Sequence, residues 1–371
     1  MTVTEQQQPE IVRNRNGERI VSADSHVAIS QDQIKAHLDP RFHGEYDRAQ
    51  QAFARRMAEN MAQARTNTDA MTRNPHAAFS RPGYASGPER LADMTLDGID
   101  VEVIYSEVSA FRYIGDMEHG SSEATRAFND VLAEFAAADP RRLVVSYQIP
   151  VRDVAAGVAE VERVVAMGGK SLQIPVFPTE IGAPDYYHES YDPLWSAVQE
   201  SGLPLCCHIG VNTALDDLTR RDPTPQKGVM VGQVGLTTAE ALGMWILTGT
   251  LERFPDLKVV FVEPGVGWIA WYLELIDDMV ERQGYVYDNL SELPSHYFHR
   301  NMAVTFIDEP RGIGLLRHEV GVDNIMWSTD FPHPVTSWPD SQDVIEKVFT
   351  GIPADERRKM LCDNAVRIWN L

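Results

Sequence analysis

Short apolar runs alternate with longer amphipathic segments along most of the chain. The runs span four to seven residues and are rich in Val, Ile and Leu, which is typical of strands buried on both faces of a parallel sheet. They predict eight strands, at residues 20–23, 101–105, 143–149, 171–175, 203–209, 257–262, 302–306 and 325–328.

Helices are predicted between these strands, where apolar residues recur every three or four positions. Ser121 or Ser122 can cap one of them, Pro193 fits the first turn of another, and Gly168-Gly169 ends a third. Strands that alternate with helices imply parallel pairing through right-handed crossovers, so eight such units predict a (β/α)8 TIM barrel. The predicted helices cover residues 122–138, 154–167, 192–201, 237–254, 268–281 and 353–369.

An open, doubly wound sheet is the alternative α/β architecture. Such a sheet usually binds a nucleotide through a glycine-rich loop between a strand and a helix. The chain contains neither GxGxxG nor GxxxxGKS/T, and the segment 264–268, which opens a helix, lacks the third glycine. The closed barrel is therefore favoured.

A long polar stretch, residues 30–95, separates the first predicted strand from the second. Residues 50–63 are rich in Ala, Gln and Arg and predict a helix, whereas residues 74–88 carry several Pro and Gly and predict a loop. We interpret the stretch as a lid-like insertion after strand one. Residues 1–17 are predicted to form a disordered tail and residues 18–371 a single barrel domain.

Composition and charge exclude several classes of partner. The net charge of −21 is spread along the 371 residues, so we expect neither nucleic acid nor an anionic membrane as a partner. No apolar run approaches the roughly eighteen residues of a membrane span, and the N-terminus does not resemble a signal peptide. Cys206, Cys207 and Cys362 show no CxxC spacing, which indicates reduced thiols and a cytoplasmic protein.

Ionisable residues close four of the predicted strands, at the end where TIM-barrel enzymes carry their active sites. Such a residue at the end of a buried apolar strand is costly unless it is paired or bound to a metal. In Asp24-Ser25-His26 the first and third side chains share one face of the strand. The candidate metal ligands are Asp24, His26, His208, Glu263, Asp330 and His333.

Each candidate also has a purely structural interpretation. The two aspartates can cap helices, Glu263 can favour a helix N-terminus, and His208 can be a core histidine bonded to backbone. His333 lies in a proline-rich turn and can be a surface residue. Four strands that end in this way on one face nevertheless favour a metal site.

With these residues the chain resembles the metal-dependent amidohydrolase superfamily, in particular its aminocarboxymuconate-semialdehyde-decarboxylase-like branch. Asp24-x-His26, His208 and Asp330 are similar to the metal ligands of that superfamily. The match runs in the same order along the chain from residue 20 to residue 371. The segments that resemble the branch are residues 191–195, 263–268, 328–333 and 364–365. The resemblance implies a TIM barrel, a bound metal and, commonly, a homo-oligomer.

Departures from the family pattern bear on the reaction. Strand one carries Asp24 where many members have histidine, and strand six ends in Glu263 where the branch decarboxylases have histidine. Binuclear hydrolases bridge their metals with a carboxylated lysine on strand four, but here Lys170 lies at the wrong end of that strand, and Gln173 and Pro175 are not anionic. Glu263 is best placed to bridge two ions instead.

We therefore expect two divalent metal ions, with Glu263, Asp330 and His208 as catalytic residues. A donor set without thiolate suits iron or manganese at least as well as zinc. The chain also resembles the amidohydrolase-fold diiron monooxygenase of platensimycin and platencin biosynthesis, which favours iron and O2-dependent hydroxylation of a bulky apolar acyl or carboxylic acid metabolite. The alternative is a metal-dependent hydrolase or decarboxylase of a small carboxylate substrate.

The insertion and the loop at residues 211–234 are expected to cover the barrel mouth. Arg112 or Arg81 can pair with a substrate carboxylate or phosphate. Aromatic residues near the mouth suit a bulky apolar substrate, although ordinary packing would explain them too. A metal-free barrel that serves as a binding module is the non-enzymatic alternative. The aromatic residues are Phe79, Tyr84, Tyr105, Phe111, Tyr113, Phe177, Tyr186 and Tyr187.

Overall fold

A parallel sheet of eight positions forms the centre of the molecule, and its strands follow one another in chain order. The computed structural model describes residues 17–63, 80–210 and 213–371. The first position of the sheet consists of two short strands, β1 and β2, which both pair with β3. The strands are β1 (Val21–Ser22), β2 (His26–Val27), β3 (Val101–Ser106), β4 (Leu143–Gln148), β5 (Ser171–Gln173), β6 (Leu205–His208), β7 (Val259–Val262), β8 (Met302–Phe306) and β9 (Ile325–Trp327).

Backbone contacts join the last strand to the first. The Ala23 amide donates to the Trp327 carbonyl at 3.1 Å, and a parallel bridge pairs Ser25 with Phe331. The sheet is therefore a nearly closed barrel with helices around it, and the predicted (β/α)8 TIM barrel is confirmed.

Helices surround the barrel in most of the predicted positions. The helix predicted at residues 237–254 is instead two helices, because Gly249 adopts a left-handed backbone (φ +75°) between them. The helix predicted at residues 50–63 belongs to a longer one. The α-helices are Gln31–His37, His43–Gln63, Gly87–Asp97, Phe111–Ile114, Ser121–Ala136, Val154–Ala166, Asp192–Ser201, Thr213–Arg221, Gly228–Val231, Thr238–Leu247, Thr250–Arg253, Ile269–Gln283, Pro294–Asn301, Pro310–Val320, Ser341–Val348, Ala354–Arg358 and Asn364–Trp369.

The insertion between β2 and β3 contains more helix than its polar composition predicts. Gly87–Asp97 forms a helix with Pro88 in its first turn, where a missing amide costs little, and with Gly98 as a left-handed C-cap. Residues 64–79, with part of the loop predicted at 74–88, lie outside the described residues, as do tail residues 1–16. The lid-like role of the insertion and the domain limits stay predictions.

Side chains fill the interior of the barrel, as in other barrels of this kind. Every second residue of a strand points inward, and the inner cluster includes Val103, Cys206 and Val260. Trp369 from the C-terminal helix packs against this cluster and donates to Ser171 Oγ at 3.1 Å. Because Ser171 begins β5, this contact covers the N-terminal end of the barrel. The mouth is the opposite end, where the strands finish.

Candidate metal centre

Asp24 and His26 lie side by side where the chain passes from β1 to β2. The Asp330 amide donates to the Asp24 carbonyl at 3.1 Å, and the His26 amide donates to the Phe331 carbonyl at 2.6 Å. These bonds hold the segment against the chain that follows β9. His26 Nε2 lies 3.7 Å from Asp24 Oδ1, and both side chains are buried. The two predicted ligands therefore face the same point.

His208, the last residue of β6, also faces Asp24. Its Nε2 lies 3.2 Å from Asp24 Oδ1, and its Nδ1 lies 2.7 Å from the Ile209 carbonyl oxygen. A carbonyl oxygen only accepts, so the proton of the neutral ring belongs on Nδ1 and leaves the Nε2 lone pair directed at the cluster. This arrangement is typical of metal-binding histidines.

Asp330 lies between the rings of His26 and His333. Its Oδ1 is 3.1 Å from His26 Nε2 and 2.8 Å from His333 Nδ1. The ring centroids of the two histidines are 4.0 Å apart. The proline-rich turn therefore directs His333 into the cluster.

Glu263 follows β7 and completes the predicted set. Its amide donates to Thr305 Oγ1 at 2.7 Å, and its ligand atom lies within 4.8 Å of those of Asp330 and His333. Glu263 and Asp330 have left-handed backbones, with φ of +63° and +52°. Such conformations are uncommon for residues with side chains and are concentrated at functional sites. The structure thus brings all six predicted side chains to the mouth.

Glu107 is a seventh member of the cluster and was not among the predicted ligands. Its Oε2 lies 3.1 Å from His333 Nε2, and its ligand atom lies within 4.8 Å of those of His26 and His333. The signal is the same as for the other members, because an acidic residue follows a buried apolar strand. The predicted strand ends at residue 105, whereas β3 continues to Ser106 and carries Glu107 into the site.

The members of the cluster differ in burial. Asp24, His26 and Asp330 are buried, whereas Glu107, His208, Glu263 and His333 are partly buried. A molecule that enters from the mouth therefore meets the partly buried side chains first.

Burial and mutual charge shift the pKa values in this cluster. Burial would raise the pKa of Asp330, but contacts with the His26 and His333 rings outweigh it and hold that pKa at about 2. Burial would lower the pKa of His333, but contacts with Asp330 and Glu107 raise it to about 11. Burial, together with the charge of Asp330, raises the pKa of Glu263 to about 8.

The pKa values of the two remaining imidazoles are shifted in opposite directions. Burial would lower the pKa of His208, but the Asp24 carboxylate raises it to about 9. Burial and the charge of His333 lower the pKa of His26. Protons on His208 and His333 thus offset part of the carboxylate charge of the metal-free site. A cation that enters the site displaces these protons, so metal affinity is expected to fall as the pH is lowered.

The residues present fit a divalent metal ion. Asp24 Oδ2, both ring nitrogens of His26 and both carboxylate oxygens of Asp330 are buried and make no aligned hydrogen bond within the described residues. Buried polar atoms without partners are costly, and a single cation would satisfy several of them together. Imidazole and carboxylate donors without a thiolate suit manganese, iron or zinc.

A buried ion pair supports the backbone of the site. Arg90 Nε lies 2.6 Å from Glu102 Oε2, and the two side chains are 0% and 4% exposed. Arg90 Nη1 donates to the His26 carbonyl at 2.9 Å, and the guanidinium lies 4.1 Å from the centroid of the Phe331 ring. The pair therefore fixes both chain segments that carry the buried ligands.

The basic residues considered in the sequence analysis make contacts in three different parts of the structure. Arg81 pairs with Asp93, so it is engaged within the insertion. The Arg112 guanidinium lies 5.6 Å from the centroid of the Phe53 ring. Lys170 donates to the Asn370 carbonyl, which places it at the end of the barrel opposite the metal cluster, as expected.

The aromatic residues expected near the mouth are also dispersed. The Tyr105 ring is buried, with its centroid 5.1 Å from that of His208. Tyr113 and Tyr186 belong to the hydrophobic core, whereas Tyr187 is 46% exposed. Phe79 lies outside the described residues. Packing therefore accounts for several members of this set.

Comparison with known proteins identifies relatives. A protein-family model described as amidohydrolase matches residues 33–371. The decarboxylase orsB of Emericella nidulans is 26% identical over 261 residues, which are 68% of this chain and 77% of that protein. The gamma-resorcylate decarboxylase of a Rhizobium species is 26% identical over 314 residues, 76% of this chain and 86% of that protein.

Solved structures share the fold. The 5-carboxyvanillate decarboxylase LigW from Sphingomonas paucimobilis superposes with a TM-score of 0.71 at 22% identity, covering 95% of this chain and 99% of that one. The 5-carboxyvanillate decarboxylase from Novosphingobium aromaticivorans, complexed with manganese and 4-hydroxy-3-methoxy-5-nitrobenzoic acid, gives a TM-score of 0.71 at 17% identity, covering 96% and 97%.

These relatives contradict the expectation of O2-dependent hydroxylation. The curated relatives are decarboxylases, so the alternative interpretation of the sequence is favoured over the first. Iron, a monooxygenase activity and the resemblance to the diiron monooxygenase of platensimycin biosynthesis have no support. The error has a chemical cause, because imidazoles and carboxylates hold the metal in oxidative and non-oxidative enzymes alike.

Other expectations about the whole protein remain as they were. Among the described residues, no helix has both the length and the apolar character needed to cross a lipid bilayer. The cytoplasmic location and the homo-oligomer stay predictions.

Proposed function

This chain belongs to the amidohydrolase family, and we propose that it is a metal-dependent, non-oxidative decarboxylase of a hydroxylated aromatic carboxylic acid. The observation that carries the proposal is the cage of Asp24, His26, His208 and Asp330 at the barrel mouth. The curated relatives that decarboxylate aromatic acids support it.

Decarboxylation sets simple requirements for the protein. The carbon–carbon bond to the carboxylate breaks, carbon dioxide leaves, and the electron pair stays on the ring carbon, which then takes a proton. No oxidant or reductant takes part. The site must therefore hold an anionic substrate and deliver one proton to carbon in each turnover.

The metal is proposed to be one divalent ion, with manganese favoured over iron. Asp24, His26, His208 and Asp330 would hold it, because the first, second and fourth present buried atoms that make no aligned hydrogen bond within the described residues. His208 directs its Nε2 at Asp24 from 3.2 Å. When bound, the ion supplies the positive charge that attracts the substrate carboxylate and stabilises negative charge as the bond breaks. The donor set suits manganese, which one structural neighbour binds.

Glu263 is the proposed proton donor. Its partly buried side chain lies beside the charged Asp330, so it can give a proton to a substrate carbon at the mouth and regain one from solvent. Glu263 follows β7, the sixth of the eight strands predicted from the sequence, at the position where the branch decarboxylases carry a histidine. A carboxylic acid can fill the same role when its surroundings keep it protonated.

Product analysis without oxygen tests the proposed function. We expect the Mn2+-loaded protein to release carbon dioxide from 2,6-dihydroxybenzoate or 5-carboxyvanillate under strict anaerobiosis. In D2O, one deuterium should enter the product at the carbon that lost the carboxylate, since the proton comes from solvent through the protein. The measurement combines carbon dioxide quantification with mass spectrometry. Turnover that requires O2, or water addition without release of carbon dioxide, would contradict the proposal.

The two-ion centre expected from the sequence competes with this one-ion proposal, and His333 tests between them. Glu263, Asp330 and His333 form a second group of converging ligand atoms. If this group holds an ion, the wild type binds two Mn2+ and His333→Ala binds one, with an affinity penalty of at least about 10-fold. Metal analysis after equilibrium dialysis measures this.

The matched control for that metal count is His318→Ala, because His318 is an exposed histidine that contacts Glu356 away from the site. One ion in the wild type and one in His333→Ala would refute the two-ion centre. The count also bears on Glu263, which cannot both bind a second ion and donate the proton.

A further inference from the structure

Three side chains form the upper inward layer on neighbouring strands β4, β5 and β6. One layer below, Ser146 Oγ lies 2.8 Å from Ser171 Oγ, which lies 3.3 Å from Cys206 Sγ, so these residues point into the barrel. Because side chains two positions apart share a face, the next inward residues are at the strand ends. They are Gln148, Gln173 and His208.

The two glutamines differ in how their amides are satisfied. Gln148 Oε1 accepts from the Ala110 amide at 2.6 Å, and Gln148 Nε2 donates to Ser106 Oγ at 2.9 Å. Gln173 Nε2 donates to Ser109 Oγ at 3.2 Å. Gln173 Oε1 is buried and has no partner within the described residues, and the side chain is only 1% exposed. A buried acceptor in this state calls for an explanation.

The position of Gln173 suggests that its free acceptor faces the substrate site. Register pairs Gln173 with Cys206, so His208 lies one inward step further along the adjacent strand. A strand spacing of about 4.8 Å and a rise of about 6.6 Å over two residues separate the Cα atoms of such neighbours by roughly 8 Å. The bond to Ser109 engages the donor end of the amide, which leaves the acceptor end for the barrel mouth. A ring whose carboxylate lies in the metal cluster would thus extend toward the strand that carries Gln173.

We propose that Gln173 Oε1 accepts a hydrogen bond from a hydroxyl group of the substrate and so selects hydroxylated aromatic acids over those without the hydroxyl. This inference rests on the proposed function and names its specificity residue. An amide oxygen repels carboxylate and phosphate and needs a donor. An acid that lacks the hydroxyl leaves this acceptor buried and unsatisfied, which is a strong basis for rejection.

Binding of paired acids tests the inference. The probes are 2,6-dihydroxybenzoate and benzoate, and dissociation constants are measured by calorimetry with Mn2+-loaded protein. The wild type should prefer the dihydroxy acid. Gln173→Met, which keeps the size of the side chain, should weaken binding of the dihydroxy acid at least about 10-fold, the value of a lost hydrogen bond. It should leave benzoate binding unchanged within about 2-fold.

Thermal unfolding separates recognition from a structural role. Because Gln173 makes one side-chain bond, Gln173→Met should shift the unfolding midpoint by less than about 2 °C. Gln148→Met is the matched control, since it breaks two bonds one strand away. Gln148→Met should lower the unfolding midpoint and weaken the binding of both acids by the same factor. Gln173→Leu serves as a second variant should the methionine protein fail to fold.

Each outcome decides the matter. Equal binding of the two acids by the wild type, or an equal effect of Gln173→Met on both, would overturn the inference. A protein that discriminates through Gln173 yet releases no carbon dioxide keeps the inference and loses the proposed function. If the protein releases carbon dioxide but Gln173→Met discriminates between the acids as the wild type does, the proposed function stands and the inference fails.

Discussion

Glu263→Gln is expected to lower kcat for decarboxylation by about two to four orders of magnitude. The substitution keeps the size of the side chain and removes the proton that the ring carbon must receive. Stopped assays of carbon dioxide release measure kcat, and exchange of deuterium into the product measures protonation directly. Both should fall together, because both depend on the same proton transfer.

The metal content of Glu263→Gln shows whether the loss of activity comes from a lost proton donor or from a lost metal ligand. If Glu263 is the proton donor, Glu263→Gln keeps the metal content of the wild type. If it is a metal ligand, content and activity fall together. Glu274→Gln is the matched control, because Glu274 is an exposed glutamate on the outer helix Ile269–Gln283, and it should retain full activity. An active Glu263→Gln enzyme would remove Glu263 from the mechanism.

His26→Ala is expected to abolish metal binding and activity. His26 is the most enclosed imidazole of the cluster, at 3% exposure, and it contacts both Asp24 and Asp330. Its loss leaves the two buried carboxylates facing each other with less positive charge between them. We therefore expect Mn2+ affinity to fall by well over the 10-fold to 100-fold typical of a residue that only orients a ligand.

Thermal unfolding with and without Mn2+ measures this effect independently of any substrate. A metal at about a thousand times its dissociation constant stabilises the folded protein by about 4 kcal/mol, so the wild-type midpoint should rise on addition of Mn2+ while that of His26→Ala should not. His37→Ala is the control, since His37 pairs with Glu134 outside the site. A variant that responds to Mn2+ as the wild type does would place the metal elsewhere.

The reaction could not be read from the ligand residues alone. Asp24, His208 and Asp330 are suited to hydrolysis, decarboxylation and oxidation alike, because all three chemistries use oxygen and nitrogen donors. Glu263, which follows β7, stands where the branch decarboxylases carry a histidine. A carboxyl group raised in pKa by burial and by Asp330 can also carry a proton, so the replacement does not decide the reaction.

The amino-acid sequence alone predicts the barrel and most of the candidate ligands. Apolar runs such as 101–105 and 257–262 are short, rich in β-branched residues and alternate with amphipathic segments, which together favour buried parallel strands. Polar residues at the strand ends, including His208 and Glu263, then mark the mouth. These features are local in the chain, so a local pattern is sufficient to find them.

Which of these side chains meet depends on the folded chain. The pairing of Glu107 with His333 joins residues 226 positions apart, and the unsatisfied acceptor of Gln173 becomes evident only when its neighbours are in place. Distances, burial and pKa shifts arise from chain segments that converge in space, and no local pattern records them. For that physical reason the sequence predicts the ligands, while the structure reveals how they are charged, what holds them and which atoms remain for a substrate.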